Sequence, residues 1–394
     1  MTDALHIPLS IFLVFVTAKL GSEIFERLKQ PGIVGEILAG ILIGPSVLGW
    51  VEPSEIVITL AELGVMFLLF RVGLEVRASE LVKVGTTALL VAALGVVVPF
   101  LLGWGLSAWW GQTGVESIFI GAAMVATSVG ITAQVLASKG LLHAVASRVI
   151  LAAAVIDDVL GLLVLAVVSS LAQGDVNVAQ LVLTAALAIG FTVIVAKWGT
   201  RAMRVIVPHV ETRLSAAEAH FTLALSLLFG LSLLAVYAGA AAVIGAFLAG
   251  MALSESISHR VHDLTAGVAE LLVPFFLVAI GLRFNLSAFS DPAVLVFAIV
   301  ILIAAIASKF IGCGLGALRI GRADAFRIGV GMVPRGEVGM VVAQLGLAMA
   351  VLDEAVYGVI VFMSVMTTIV APPLLAVAYR GVAASGAEES IRLG

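Results

Sequence analysis

The chain has 394 residues, of which 62% are hydrophobic and 12% charged, with a formal net charge of -4. Soluble domains carry about 25% charged residues, so a water-soluble fold is excluded, and the small net charge offers no footprint for nucleic acid. A single cysteine, Cys313, rules out an intrachain disulfide and argues against a Cys/His metal site.

A spanning helix needs about 20 apolar residues, and apolar runs of about that length recur along the whole chain. In order they fall at 5–25, 33–49, 57–74, 86–110, 116–138, 144–172, 178–200, 217–237, 239–254, 264–281, 292–318, 325–350 and 355–379. They predict an all-α polytopic membrane protein with about thirteen spans. The first run lacks a basic leader and a cleavage signature, so it is a retained span. Ala238-Gly239-Ala240 leaves only a short turn between the eighth and ninth. Loops after odd-numbered spans hold the basic residues, among them Arg27, Lys29, Lys83, Lys139, Arg204 and Arg322. Loops after even-numbered spans are acidic, with Arg283 as the basic exception. This alternation places the N-terminus outside and the C-terminus in the cytoplasm. No linker or soluble domain is expected, and no nucleotide-binding domain in this chain.

The informative residues are charges that fall in the wrong solvent. Ionisable groups at mid-span are costly and mark ion or proton paths. Asp157 and Asp158 lie near the middle of the sixth span. Neighbours on a helix point about 100° apart, so one carboxylate can meet a fixed partner while the other faces a cavity. Two such acids repel, and one of them can exchange a proton near neutral pH. Hard oxygen ligands also suit a small alkali cation. A carboxylate that binds either a proton or a sodium ion is sufficient chemistry for exchange; a plain helix-capping role is the alternative. Lys309, mid-span in the eleventh segment, is too deep to reach water easily and calls for a carboxylate partner, with Asp157 or Asp158 as the candidates. It can be a structural counter-charge, a transport element, or both.

Two spans are interrupted. The fifth carries Thr127, Ser128, Gly130 and Thr132 at mid-depth. The twelfth carries Pro334, Arg335, Gly336 and Glu337, where proline removes a backbone donor. Paired broken helices point to a transporter's binding site. Their freed carbonyls can bind a cation, while Arg335 and Glu337 neutralise helix ends. Back-bonding of the fifth-span hydroxyls to their own preceding turn is the alternative. Glu36 and Glu62 fit interfacial or helix–helix contacts, Arg71 can snorkel, and Gln134 can line a cytoplasmic funnel or simply pack.

Gln30-Pro31-Gly32-Ile33-Val34-Gly35-Glu36-Ile37-Leu38-Ala39-Gly40 with Gly44-Pro45 resembles the opening signature of the monovalent cation:proton antiporter-2 family. Val72-Gly73-Leu74-Glu75, the break from Ala126 to Thr132, Val155 to Gly161 and Pro334-Arg335-Gly336-Glu337 extend the resemblance over essentially the whole chain. Within the family it is most similar to NapA-type bacterial sodium/proton antiporters. The resemblance implies inverted repeats, two crossing broken helices, and a homodimer in a bacterial inner membrane. It implies a dimerisation scaffold at 5–74 and 217–281, an ion-transporting core at 86–172 and 292–379, and a connecting helix at 178–200. It makes Asp158 the shared site for sodium and protons. Asp157 becomes Lys309's switchable partner and a secondary sodium ligand, and Thr127, with Ser128 and nearby backbone, lines the site. It implies elevator-type alternating access, electrogenic exchange of protons for sodium or lithium, and no cofactor. Arg71 departs from the family's usual apolar residue.

A potassium/proton antiporter of the same architecture is the nearest rival. An intramembrane aspartyl protease needs two aspartates from separate helices, which this chain does not offer, so an enzyme is not expected. A channel would pass sodium without moving protons. No phosphate-binding loop of the Gly-x-x-x-x-Gly-Lys-Ser/Thr type supports an ATP-driven pump.

Overall fold

The computed structural model describes residues 3–77, 83–173, 178–213, 219–256 and 259–382. The helices, in chain order, are α1 (Asp3–Arg27), α2 (Gly32–Ile43), α3 (Glu55–Glu75), α4 (Gly85–Trp110), α5 (Gly114–Val125), α6 (Val129–Ser138), α7 (Val145–Gln173) and α8 (Val178–Arg213). They continue with α9 (Ala219–Tyr237), α10 (Ala242–Leu253), α11 (His259–Leu282), α12 (Pro292–Ala317), α13 (Arg322–Gly331), α14 (Gly336–Ala348) and α15 (Glu354–Ala378). Every predicted span coincides with one helix or, for the fifth and twelfth, with a pair: α5 with α6 and α13 with α14. Three boundaries differ by five residues or more, the helix of the tenth span starting already at His259. The second span stops at Ile43, because Gly44-Pro45 cannot continue it, and the helix of the seventh runs past 200 to Arg213.

The acidic loops have a second use, as helix starts. Thr113 and Glu116 form a reciprocal capping box on α5. Asp291 accepts from the Ala293 amide ahead of Pro292 on α12, and Asp353 accepts from the Val356 amide on α15. Carboxylates at these positions satisfy orphan amides and oppose the positive end of the helix dipole.

Packing sorts the helices into two groups. α1, α2, α3, α9, α10 and α11 pack among themselves, as do α4–α7 with α12–α15; α8 runs between, touching α7, α9 and α10. The most extensive direct contacts between the groups among the described residues are α3 against α6 and α2 against α15. In the most apolar window of the α5–α6 segment 83% of positions are buried, against 11% in α1 and in α8, so the broken span lies at the centre and α1 and α8 at the periphery. At one end of the core, Tyr379 hydrogen-bonds Ser147 at 3.1 Å and lies under Arg327.

The chain is an internal repeat, α1–α7 matched by α9–α15. Val34-Gly35-Glu36-Ile37-Leu38-Ala39-Gly40 echoes Ile244-Gly245-Ala246-Phe247-Leu248-Ala249-Gly250, and Gly121 to Val125 echoes Gly329 to Val333. The packing repeats too. A Cβ on Gly40 would strike the Val278 carbonyl of α11, and one on Gly250 the Phe70 carbonyl of α3. Gly73 and Gly281 approach the Phe247 and Ile37 carbonyls in the same way. α2 and α10 have 12 residues each, about 18 Å at 1.5 Å per residue. They are too short to cross the ~30 Å apolar layer unaided, and both lie clamped by these glycine contacts.

Gly40→Val or Gly250→Val is therefore expected to cost about 1–3 kcal/mol by overpacking, read as a lower unfolding midpoint in detergent. Gly230→Ala, whose Cβ meets nothing within 4 Å, should leave the midpoint in place. Equal midpoints for all three would contradict the close approach.

Candidate functional site

The two broken spans cross at their breaks. The Ser128 amide donates to the Pro334 carbonyl at 2.8 Å, and the Thr132 hydroxyl donates to the Gly331 carbonyl at 2.6 Å. Thr132 thus bonds the other span rather than its own preceding turn. Gly336 takes φ +48, a left-handed conformation open to glycine, and lies against Ser128. Gly130 faces Val65 and Phe276 of the other helix group. α5 ends at Val125 and α13 at Gly331, each leaving carbonyls with no intrahelical partner deep in the bundle.

Lys309 comes from α12 to the end of α5. Its Nζ donates to the Val125 carbonyl at 2.7 Å, to the Gly95 carbonyl of α4 at 2.8 Å, and to both Asp157 carboxylate oxygens at 3.1 and 3.0 Å. An ammonium has three donors; two go to carbonyls and one is shared by the carboxylate, so none is wasted. Both side chains are 0% exposed. Such a pair is costly to desolvate, and its Coulombic gain offsets that cost only with full hydrogen bonding, which this geometry supplies.

Arg335 is the matching cation at the other break. It is fully buried, its Nη2 donates to the Ala305 carbonyl of α12 at 2.9 Å and its Nη1 to the Met332 carbonyl just beyond α13 at 3.4 Å. Gly95 and Ala305 are as far apart in sequence as Gly35 and Gly245, so Lys309 and Arg335 occupy equivalent seats in the repeat. The equivalents of Asp157 and Asp158 are Thr367 and Thr368, and Thr367 Oγ1 accepts from the Arg335 amide at 3.2 Å. The side chain of Glu337 lies outside the described residues.

Asp158 follows Asp157 on α7 and lines an open space. It is half-buried and shares with Asp157, Ala122, Ala126, Gly161 and Ala241 a cavity of about 50 Å³, beyond the ~10–15 Å³ that one water requires. A second lobe reaches Leu69 of α3 and Ile244 and Phe247 of α10, so Asp158 lies on the seam between the two helix groups. Thr127, in the break next to Ala126, is 2% exposed, and its hydroxyl has no hydrogen-bond partner among the described residues. An unmet hydroxyl beside a carboxylate-lined cavity is a ready oxygen ligand. The structure thus brings together Asp157, Asp158, Lys309, Thr127 and Ser128. It also gives Lys309 two carbonyl partners, from Gly95 and Val125, that no side-chain pattern announces.

Removing one member of the buried pair should be worse than removing both. Lys309→Met leaves Asp157 buried and unpaired and is expected to cost about 3–5 kcal/mol. Lys309→Met combined with Asp157→Leu should recover much of that in the thermal midpoint. A double variant less stable than the single would refute the pairing energetics.

Comparison with known proteins gives this arrangement its family. Residues 11–380 match the family described as sodium/hydrogen exchanger, transmembrane. The chain is 34% identical to the high-affinity Na(+)/H(+) antiporter NhaS3 of a Synechocystis strain, over 95% of this chain and 90% of that one. It is also 34% identical to the Na(+)/H(+)-K(+) antiporter GerN of Bacillus cereus, over 93% and 94%. Its fold matches the sodium proton antiporter MjNhaP1 of Methanocaldococcus jannaschii with a TM-score of 0.74 at 19% identity, covering 97% of each chain. The chain belongs to the sodium/hydrogen exchanger family, as a multi-pass membrane antiporter of monovalent cations and protons.

Proposed function

We propose that the chain is an electrogenic sodium/proton antiporter, nearest in type to the NapA-like members of the family. The observation that carries this is the buried Asp157–Lys309 pair beside the Asp158 cavity, at the crossing of two broken helices. Asp158 is the site that protons and sodium (or lithium) share, with the Thr127 hydroxyl and, on cation entry, Asp157 as further oxygen ligands. When Asp157 turns to the cation, Lys309 gives up its proton, and the neutral amine that remains keeps two N–H donors for the Gly95 and Val125 carbonyls. Ser128, Gly130, Thr132, Pro334, Arg335 and Glu337 hold the crossing. One sodium displaces two protons from the Asp157–Asp158–Lys309 set, and each cycle moves net charge.

Transport is elevator-like. The core at 86–172 and 292–379 slides on the scaffold at 5–74 and 217–281, with α8 connecting them and Asp158 on the sliding seam. The scaffold joins a second copy in a homodimer; the exposed apolar side chains of α1 and α9, such as Phe12, Leu20 and Leu233, leave room for such a partner or for lipid. The membrane is a bacterial inner membrane, with the basic loops and the C-terminus in the cytoplasm. Potassium is the second candidate cargo, favoured by the similarity to a relative described as a Na(+)/H(+)-K(+) antiporter.

Proteoliposomes test the proposal. Sodium should drive protons out of vesicles at a rate that responds to clamped potential, and Asp158→Asn should abolish it, a loss of more than about a hundredfold, or ~2.7 kcal/mol. Exchange with potassium alone would replace the cargo and keep the mechanism. Sodium flux without proton movement, or a fully active Asp158→Asn, would refute it.

A further inference from the structure

The sequence leaves Glu36 as an interfacial or helix–helix contact, and the structure gives it a different setting. A cavity of about 650 Å³ lies at the Lys/Arg-rich end of the molecule, between α1, α2, α3 and α11 on one side and α6 and α15 on the other. Glu36 lines it from α2. The residue is only 8% exposed, yet its Oε2 has no hydrogen-bond partner among the described residues. The Ser22 hydroxyl of α1 lines the same cavity. Gln134 and Ser138 of α6 form the opposite wall.

Of the cations around this cavity, Lys19 acts on Glu36 without coming within salt-bridge distance of it. Lys19 pairs with Glu270 at 3.9 Å, and Arg71 acts on Glu75 of its own helix. Lys29, Lys139 and Glu26 also border the cavity. A buried acceptor with no partner costs free energy, so the empty side of Glu36 is a place where something positively charged is favoured.

The repeat strengthens the case. α2, α11, α6 and α15, which wall this cavity, are the counterparts of α10, α3, α14 and α7, all of which contribute to the two lobes around Asp158. The seam between the helix groups thus has two gaps related by the repeat, one holding Asp158 at mid-depth and the other Glu36 at the basic end. Ala246 replaces Glu36 in the second half, and Thr368 replaces Asp158, so each gap carries a carboxylate that its twin lacks.

We propose that the Glu36 gap is a second binding site for a monovalent cation, with the Glu36 carboxylate as its charge and the Ser22 hydroxyl and Gln134 amide oxygen as further ligands. One carboxylate balances one positive charge, and a cavity this size admits an ion with part of its water. Because α2 and α6 belong to different helix groups, the site is complete only while this gap is open, which makes it a staging site for ions at the basic face. The inference relies on the antiporter function only for the class of ligand.

Equilibrium binding of radioactive sodium to the purified full chain in detergent tests it. Asp158→Asn should still bind sodium, at lower stoichiometry than wild type, and adding Glu36→Gln should weaken that remaining binding at least about tenfold. Gln134→Leu in the same background should weaken it as well, and it carries the test if Glu36→Gln does not fold. No sodium bound by Asp158→Asn would overturn the second site, as would binding that ignores both Glu36→Gln and Gln134→Leu. Should Asp158→Asn bind like wild type while Glu36→Gln alone removes all sodium, the Asp158 assignment fails and the Glu36 site stands.

Discussion

Two helices that stop in the middle of the membrane impose the constraint on which the rest of this structure depends. Carbonyls released there have no water to turn to, and each unmet group is expensive in an apolar layer. The molecule answers with two buried cations, Lys309 at the end of α5 and Arg335 at the end of α13. A buried cation in turn needs negative charge or many acceptors. Arg335 takes carbonyls, and Lys309 takes carbonyls and a carboxylate. The ion pair is thus a consequence of the break in the helix. Asp158, one residue further and about 100° round, is left facing the cavity.

The repeat sets out two matched frames for the chemistry. Duplicated backbones give two breaks, two cation seats and two polar gaps, and glycine contacts between α2 and α11 and between α3 and α10 hold the halves in register. The side chains then diverge. Where the first half has the aspartate pair, the second has Thr367 and Thr368; where the first break has Thr127, the second has Arg335. The aspartates come from the first half and Lys309 from the second, so neither half builds the site alone. On an elevator mechanism this matters, because the moving body must keep its own interior satisfied wherever the gap happens to open.

Much of this was legible before the structure. Spans follow from apolar length, and both breaks from Pro334 and from the hydroxyl-rich run at Thr127–Thr132. Asp157, Asp158 and Lys309 stand out because charge is rare in such surroundings. What the sequence hid falls into two kinds. Backbone partners, such as the carbonyls of Gly95 and Val125, have no side-chain signature, since every residue carries a carbonyl. Burial by distant helices is equally silent: Glu36 lies near the start of its span, where a carboxylate normally meets water, and only the approach of α1, α11 and α6 encloses it. The role of Thr132 shows the same limit, since back-bonding to its own turn and a bond across to Gly331 look identical in one dimension. The length of α8 was missed for a simpler reason. Its arginines past 200 resemble a loop, but they remain helical and one of them, Arg204, pairs with Glu255 at the end of α10.

The central claim is that one carboxylate holds either a proton or a sodium ion, never both. Proton release on adding sodium to the purified protein in weakly buffered detergent tests it most directly. The account predicts release that saturates with sodium, diminishes at low pH as protons compete, and is absent in Asp158→Asn. Sodium binding with no proton released, or release that persists undiminished in Asp158→Asn, would contradict it.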